Sequence, residues 1–239
     1  MFENRKKWKK RRFGNLERLC EDGEDELKEI SWPDIIKEYD INGTSLRYQL
    51  VKDIGRTAKD VARVYINGAD EIVGNNELDW QQDANKIKEM VQSGEWNFYG
   101  CYFKEKLASA ISMHILRGRR AMQWVYGCVD PEYRGLGIWQ YMGEYIDMIT
   151  EMSGAQIGFL WSVTIHDYTQ MSVEKAGYMP MGFFPGWSFY GGSDSYYYRP
   201  NMILYGKVYD KSCLQNKESM QLTEKAKELV DTVSKSMPI

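Results

Sequence analysis

Residues 129–139 read Val-Asp-Pro-Glu-Tyr-Arg-Gly-Leu-Gly-Ile-Trp, and this stretch decides the fold. An apolar run precedes it, and the apolar residues that follow have helical spacing. Gly135 and Gly137 allow the main chain to approach a ligand without a Cβ clash. Main-chain N–H groups at the start of a helix bind anions, and Arg134 adds positive charge. The segment therefore predicts an anion-binding turn between a strand and a helix.

Two common nucleotide-binding motifs do not fit this turn. The Rossmann fingerprint requires a third glycine where this chain has Gln140. The phosphate loop of nucleoside triphosphatases requires a Gly-Lys-Ser/Thr sequence, which does not follow Gly137. A diphosphate held mainly by main-chain N–H groups is the interpretation that remains.

The composition of the whole chain excludes several other classes of protein. The chain has 239 residues, 43% of them hydrophobic, and a formal net charge of -3, which does not favour a protein that coats nucleic acid. No apolar run reaches the ~18 residues of a membrane span. Four scattered cysteines and two histidines predict neither a metal site nor a disulfide framework. We therefore expect a cytoplasmic protein without a metal.

The order of predicted elements indicates a mixed α/β domain over residues 46–210. One strand is followed by two helices, three strands, a helix, a strand, a helix and two strands, and Thr57 is predicted to cap the first helix. Residues 1–45 are predicted to be a charged, partly helical extension, and residues 211–239 a helical tail. The basic run at residues 5–12 leaves a contact with RNA or an anionic surface open.

The chain resembles the GNAT superfamily of acyltransferases in this order and in two motifs. The superfamily's central motif, Arg/Gln-x-x-Gly-x-Gly/Ala between a strand and a helix, is matched from Cys128 through Gly137. A second motif, a strand and then a helix that ends in Gly-Phe/Tyr, is matched at residues 163–178. The resemblance covers residues 46–209. It implies a GNAT-like α/β fold with a mixed, mostly antiparallel central sheet, flanking helices and a splayed parallel strand pair.

The same resemblance implies that the diphosphate is that of coenzyme A. Acetyl-CoA, or another acyl-CoA, is then the co-substrate, and acetyl passes by direct attack to an amine of a small molecule or an amino-acid-like acceptor, without a metal. A main-chain N–H between Tyr126 and Val129 is expected to meet the thioester carbonyl oxygen. The implied CoA-binding residues are Gly127, Cys128, Val129, Arg134, Gly135, Leu136, Gly137, Ile138 and Trp139.

Four positions depart from the superfamily pattern, and one of them is His166, which stands in the place of a common asparagine near the pantetheine arm. Trp139 stands where most members have glycine or alanine, so its indole must turn aside or cover the ligand. Val173 replaces a tyrosine that protonates the departing thiolate in many members, and Gln123 stands where some members have a glutamate base. We predict His166 and Tyr168 as the catalytic residues, since an imidazole titrates near neutral pH. A capping role for His166 is an equal alternative.

The aromatic segment 183–198 is predicted to border the acceptor cleft. Its rings suit an apolar or planar acceptor, a cation or a partner protein, and packing between strands is the alternative for about half of them. The predicted acceptor-binding residues are Trp187, Tyr190 and Asp194, the last in a Gly/Ser-rich loop that is a candidate lid.

A function without catalysis stays open at this point. The residues at positions 123 and 173, together with the two terminal extensions, also fit a CoA-binding or acyl-CoA-binding partner, or a regulatory subunit of a larger enzyme. A protein partner or a homodimer, which is common in the superfamily, stays open as well. A nucleic-acid partner is not expected.

Overall fold

The computed structural model describes residues 29–41, 43–191, 197–210 and 220–236. The chain divides into two compact units, of which residues 30–209 form the larger. The smaller combines residues 1–29 with 210–239, and its described part contains the helix Glu224–Ser236. The basic run at residues 5–12 and the predicted acceptor residue Asp194 lie outside the described residues.

The larger unit is built on one sheet of eight strands, and the first strand lies within the segment that the sequence analysis assigned to the N-terminal extension. The short, polar sequence Lys-Glu-Tyr-Asp-Ile of this strand carries no clear alternation of apolar residues, which is why no strand was expected there. The strands are β1 (Lys37–Ile41), β2 (Thr44–Leu50), β3 (Trp96–Phe103), β4 (Lys106–Leu116), β5 (Ala121–Val129), β6 (Ile157–Val163), β7 (Met179–Phe184) and β8 (Met202–Val208).

The order of strands across the sheet is β1-β2-β3-β4-β5-β6-β8-β7. Every neighbouring pair is antiparallel except β5 and β6, which are parallel because α3 crosses over between them. The helices are α1 (Ile54–Gly68), α2 (Ala84–Gln92), α3 (Ile138–Met152), α4 (Tyr168–Lys175) and α5 (Glu224–Ser236). The mixed sheet with one parallel crossover and flanking helices confirms the predicted fold class.

The first helix begins earlier than the sequence analysis predicted. Its N-cap is Asp53, which has a left-handed backbone, so the prediction of Thr57 as the N-cap is wrong. Thr57 lies within the first turn, where its hydroxyl donates to the carbonyl oxygens of Lys52 and Asp53 at 2.9 and 3.1 Å.

The helices cover the two faces of the sheet with separate hydrophobic cores. Side chains of α1 and α2 pack with Phe98 and Ala110 on one face. Side chains of α3 pack with Tyr48, Tyr99 and Met113 on the other. The stripe of α3 that the apolar spacing predicts is Trp139, Met142, Tyr145, Ile146 and Ile149; the last four are buried, and Trp139 is half-buried.

The parallel strand pair opens beyond its first residues. β5 and β6 pair only from Ala121 to Trp124 on the β5 side. On its other edge, Trp124 pairs with Met113 and Tyr126 with Ser112, so Val125 is an extra residue and forms a bulge. A bulge bends its strand, and here the bend begins where β5 leaves β6. A gap therefore opens in the middle of the sheet, directly before the glycine-rich turn.

Of the helices in the described part of the chain, none has the length and apolar character needed to cross a membrane.

Candidate functional site

A cavity of about 1730 Å³ lies at the gap between β5 and β6. Its lining takes residues from both faces of the sheet: the start of α3 and of α4 on one face, and the segment after α1 together with residues 187–190 on the other. Ligand cavities in proteins usually measure about 300–1,000 Å³. This cavity therefore has room for two ligands that meet at the gap.

The glycine-rich turn forms one wall of the cavity. The main chains of Gly135 and Gly137 have φ values of 85° and 76°, which glycine adopts without a steric penalty, and α3 begins at Ile138. A Cβ at Gly135 would meet no atom within 4 Å, so this position faces open space. We call the main chain of residues 134–139 the cradle.

The N–H groups of the cradle are available to a ligand. From Gly135 to Trp139 they make no hydrogen bond within the part of the chain that the structure describes. Successive N–H groups at a helix start, together with the helix dipole, favour an anionic ligand such as a diphosphate. The geometry therefore fits the anion site that the sequence predicts.

Two contacts fix the cradle against α1. The buried carboxylate of Asp130 accepts the N–H of Glu132 at 3.2 Å and forms an ion pair with Arg63 of α1. The guanidinium of Arg134 donates to the carbonyl oxygen of Gly68, the last residue of α1, at 3.3 Å. The positive charge of Arg134 is thus held at the edge of the cavity.

The indole of Trp139 lies against Gly127 of β5. A Cβ on Gly127 would be only 2.6 Å from Cη2 of this indole, so the two positions fit each other only because residue 127 is a glycine. Both residues line the cavity. The indole is therefore turned from the cradle towards the gap between the strands.

Cys128 is a buried residue of β5 and not an activated nucleophile. Its Sγ lies 3.6 Å from the carbonyl oxygen of Val64, and burial, with a smaller contribution from Glu71, raises the pKa of its thiol. A thiol with a raised pKa is not a thiolate at neutral pH. The main chain of Gly127, Cys128 and Val129 is what these residues present to the cavity edge.

The predicted catalytic residues lie at the start of α4. His166 and Tyr168 are both exposed, both line the cavity, and their ring centroids are 5.3 Å apart. The N-cap of α4 is Asp167, so His166 is not at the capping position. Their role in proton transfer stays a prediction.

The two acceptor residues that fall in the described part, Trp187 and Tyr190, also line the cavity. Trp187 stacks on Trp161 of β6 with ring centroids 5.3 Å apart and an angle of 22° between the rings. Tyr190 is buried, and its main chain forms a bridge with Tyr198.

Glu71 is a carboxylate that the sequence analysis did not predict, and it lines the same cavity as Trp187 and Tyr190. Glu71, on a short 3₁₀ turn (Asp70–Ile72) after α1, accepts a hydrogen bond from the phenol of Tyr126 on β5. Burial, and then the charge of Glu71, raises the pKa of Tyr126, so the phenol stays a donor. Nothing around Glu71 in the sequence marks it, because its partner lies 55 residues away.

Two hydrogen bonds connect the segment that carries Glu71 to the aromatic segment 183–198. The N–H of Gly191 donates to the carbonyl oxygen of Glu71 at 3.0 Å, and the side-chain amide of Asn75 donates to that of Phe189 at 2.6 Å. These bonds hold residues 189–191 against the turn that carries Glu71. We call the lining from residues 71–96, Trp161 and 187–190 the acceptor half.

The described residues contain no group of three or more His, Cys, Asp or Glu side chains arranged to hold a metal ion.

Comparisons of sequence detect no relative. No protein-family model matches the chain, and no curated protein matches it.

Solved structures, in contrast, match the fold over about 70% of the chain. Ribosomal-protein-S5-alanine acetyltransferase from Vibrio fischeri aligns with a TM-score of 0.54 at 15% identity, over 74% of this chain and 98% of its own. A GNAT-family protein from Desulfovibrio desulfuricans aligns with a TM-score of 0.54 at 14% identity, over 69% and 99%. The yncA protein of Salmonella typhimurium, solved with its cofactor acetyl-CoA, gives 0.54 at 12% identity, over 72% and 98%.

The larger unit therefore has the GNAT fold of acetyltransferases. The likeness to these structures is one of fold, and the resemblance predicted from the two motifs is confirmed at that level.

Proposed function

We propose that this chain is an acyl-CoA-dependent N-acyltransferase that transfers acetyl from acetyl-CoA to an amine of a small-molecule or amino-acid-like acceptor. The observation that carries the proposal is the row of unpaired N–H groups in the cradle, beside the open edge of β5. The acetyl-CoA that accompanies one neighbour of the same fold supports the choice of co-substrate.

The donor half of the cavity would hold acetyl-CoA mainly through the main chain. The cradle would take the diphosphate, with Arg134 adding charge. The edge of β5 from Gly127 to Val129 would run beside the pantetheine arm and offer an N–H to the thioester carbonyl oxygen. None of these contacts depends on the side chains by which this sequence departs from the superfamily pattern.

The proton that the departing sulfur needs is assigned to the start of α4. Val173, at the position of the usual tyrosine, is buried and has no ionisable group that could protonate the sulfur. His166 and Tyr168 are the titratable rings nearest in sequence to that helix start, and both reach the cavity. We therefore keep them as the proposed proton donors, and we keep a cytoplasmic location as part of the proposal.

Binding is the first test. Acetyl-CoA at 100 times its dissociation constant should stabilise the protein by about 2.7 kcal/mol, which raises the melting temperature measured by calorimetry. Adenosine 3′,5′-bisphosphate, which lacks both the diphosphate and the pantetheine arm, should raise it far less. An unchanged melting temperature with saturating acetyl-CoA would refute the proposal.

Turnover is the second test, because it separates an enzyme from a CoA-binding subunit. Free thiol release from acetyl-CoA should require both the protein and an amine. Binding of acetyl-CoA without release of thiol across a broad amine panel would favour the non-catalytic alternative instead.

A further inference from the structure

We propose that the acceptor half selects a primary ammonium carried on an aromatic group, with Glu71 as the residue that binds the ammonium and takes its proton. This inference rests on the proposed function, since it names the acceptor of the same transfer. It draws on three features of the acceptor half: one partly buried carboxylate, a set of aromatic rings around it, and an acidic balance of charge.

One oxygen of the Glu71 carboxylate accepts a hydrogen bond, and the other accepts none from the described residues. Its Oε1 accepts from the phenol of Tyr126, and its Oε2 has no hydrogen-bond partner among residues 29–41, 43–191, 197–210 and 220–236. The residue is half-buried and lines the cavity. A carboxylate that is partly removed from water attracts a cation more strongly than an exposed one. The free oxygen therefore suits an ammonium group.

Tyr126 keeps Glu71 in its role as an acceptor. The raised pKa of the phenol means that Tyr126 donates to the carboxylate at every pH at which the protein would work. The main chain of Tyr126 is fixed as well, because its carbonyl oxygen accepts from the hydroxyl of Tyr65 at 2.8 Å and from that of Ser112 at 3.1 Å. Tyr126 stands on β5 directly beside the gap, where the thioester would lie, and its hydrogen bond holds Glu71 of the 3₁₀ turn there.

Aromatic side chains also line the acceptor half of the cavity. The stacked rings of Trp161 and Trp187 lie towards the aromatic loop, and Trp80 and Trp96 meet edge to face with centroids 5.1 Å apart. These four rings and Tyr190 all line the cavity. Aromatic faces bind both flat apolar groups and cations. The acceptor half is therefore suited to an aromatic body behind the ammonium.

The charges that line this half favour a cation without a carboxylate. Among the lining residues of this half that the structure describes, the carboxylates are Glu71, Glu77 and Glu89 and the ammonium group is that of Lys86, whereas Arg134 lies at the cradle. An acceptor that carried its own carboxylate would meet more like charge than opposite charge among these residues. The chemistry selects an arylalkylamine over an amino acid or an aliphatic polyamine.

The transfer balances with Glu71 as the proton acceptor. One N–H bond of the ammonium breaks as its proton moves to the carboxylate. The neutral nitrogen then attacks the thioester carbonyl carbon, the new C–N bond forms, and the C–S bond breaks. The sulfur leaves as a thiolate and takes a proton from the proposed donors at the start of α4, His166 and Tyr168. The second proton of the nitrogen, whose loss gives the neutral amide, replaces the proton that the donor gave up.

The first experiment compares three amines on the intact chain with acetyl-CoA. 2-Phenylethylamine should give a kcat/KM at least about tenfold above that of butylamine, which lacks the ring, and of phenylalanine, which adds a carboxylate. A preference for phenylalanine or for butylamine over 2-phenylethylamine would overturn the inference and leave the proposed function intact. Failure to bind acetyl-CoA would refute the proposed function itself.

The second experiment tests the residue. Glu71→Gln should lower kcat/KM for 2-phenylethylamine by about 100-fold, as expected for loss of a general base. Its melting shift with acetyl-CoA should equal that of the wild type, which shows that the donor half is still folded. Glu38→Gln, at an exposed glutamate of β1 outside the cavity lining, is the control and should change kcat/KM less than twofold. Equal effects of the two substitutions would overturn the role of Glu71.

A third variant tests the aromatic surface without touching the core. Trp187 is 59% exposed, so Trp187→Leu should fold normally. It should raise KM for 2-phenylethylamine and leave that for butylamine unchanged, because only the first amine has a ring to stack. An equal change for both amines would contradict aromatic recognition.

Discussion

The cradle and the acceptor half face the same gap but are built in opposite ways. The cradle is six consecutive residues, and its unpaired main-chain N–H groups depend on the backbone of one turn and its two glycines. The acceptor half brings Glu71 to Tyr126 and Asn75 to Phe189, so it joins segments up to 114 residues apart through their side chains. The cradle is thus local in sequence, whereas the acceptor half depends on contacts that only the folded chain makes.

The largest effect should come from a side chain placed in the cradle. Gly135→Ala adds a Cβ that points into open cavity space and should weaken acetyl-CoA binding by about 100-fold, equivalent to about 2.7 kcal/mol. Gly94→Ala is the matched control, since Gly94 also has a positive φ of 77° and nothing within 4 Å of a new Cβ. Both variants should lose about 1–2 kcal/mol of stability, but only the first should lose affinity, measured by titration calorimetry. Equal affinities would show that the main chain of this turn does not bind the ligand.

The next effect concerns the contact between Trp139, the last residue of the cradle, and Gly127 of β5. Gly127→Ala should destabilise the protein by about 1–3 kcal/mol in denaturant unfolding, because the new methyl group overlaps the indole of Trp139. In a Trp139→Ala background, Gly127→Ala should lower the free energy of unfolding by at least about 1 kcal/mol less than it does in the wild type. Gly118→Ala, where a Cβ meets nothing within 4 Å, should stay within about 0.5 kcal/mol of the wild type. Additive effects of the two changes would mean that the indole does not rest on β5.

A smaller effect is expected from the charge beside the cradle. Arg134→Gln should weaken acetyl-CoA binding by about tenfold at 50 mM salt and by less at 500 mM, since salt screens an exposed guanidinium. Arg119→Gln, on the exposed turn before β5, should leave the affinity unchanged at both salt concentrations. Similar losses in both variants would point to the net charge of the protein instead of a local contact.

The smallest change is expected at the two buried cysteines. Burial raises the pKa of Cys101 to about 12 and also raises that of Cys128, so both should remain thiols at pH 8. In a Cys20→Ser/Cys213→Ser variant, native protein should not react with Ellman's reagent within an assay of minutes, whereas protein unfolded in guanidinium should release two equivalents. Fast reaction of the native variant would show that β3, which carries Cys101, or β5, which carries Cys128, opens readily to solvent.

The sequence was sufficient for the parts of the molecule that are local. The strand, turn and helix around residues 121–152 could be predicted because their apolar spacing and their glycines lie next to one another. Glu71 could not be found in this way, since its role depends on a partner that only the folded sheet brings near. The direction of the Trp139 indole was equally open, because it depends on the absence of a Cβ at residue 127 on another element.

The opening between β5 and β6 is lined from both faces of the sheet, and this has a consequence for the order of events. Two molecules that approach from opposite faces reach the same point without passing each other. A ternary complex could then assemble in either sequence, and a product on one face could depart while its counterpart on the other is still bound.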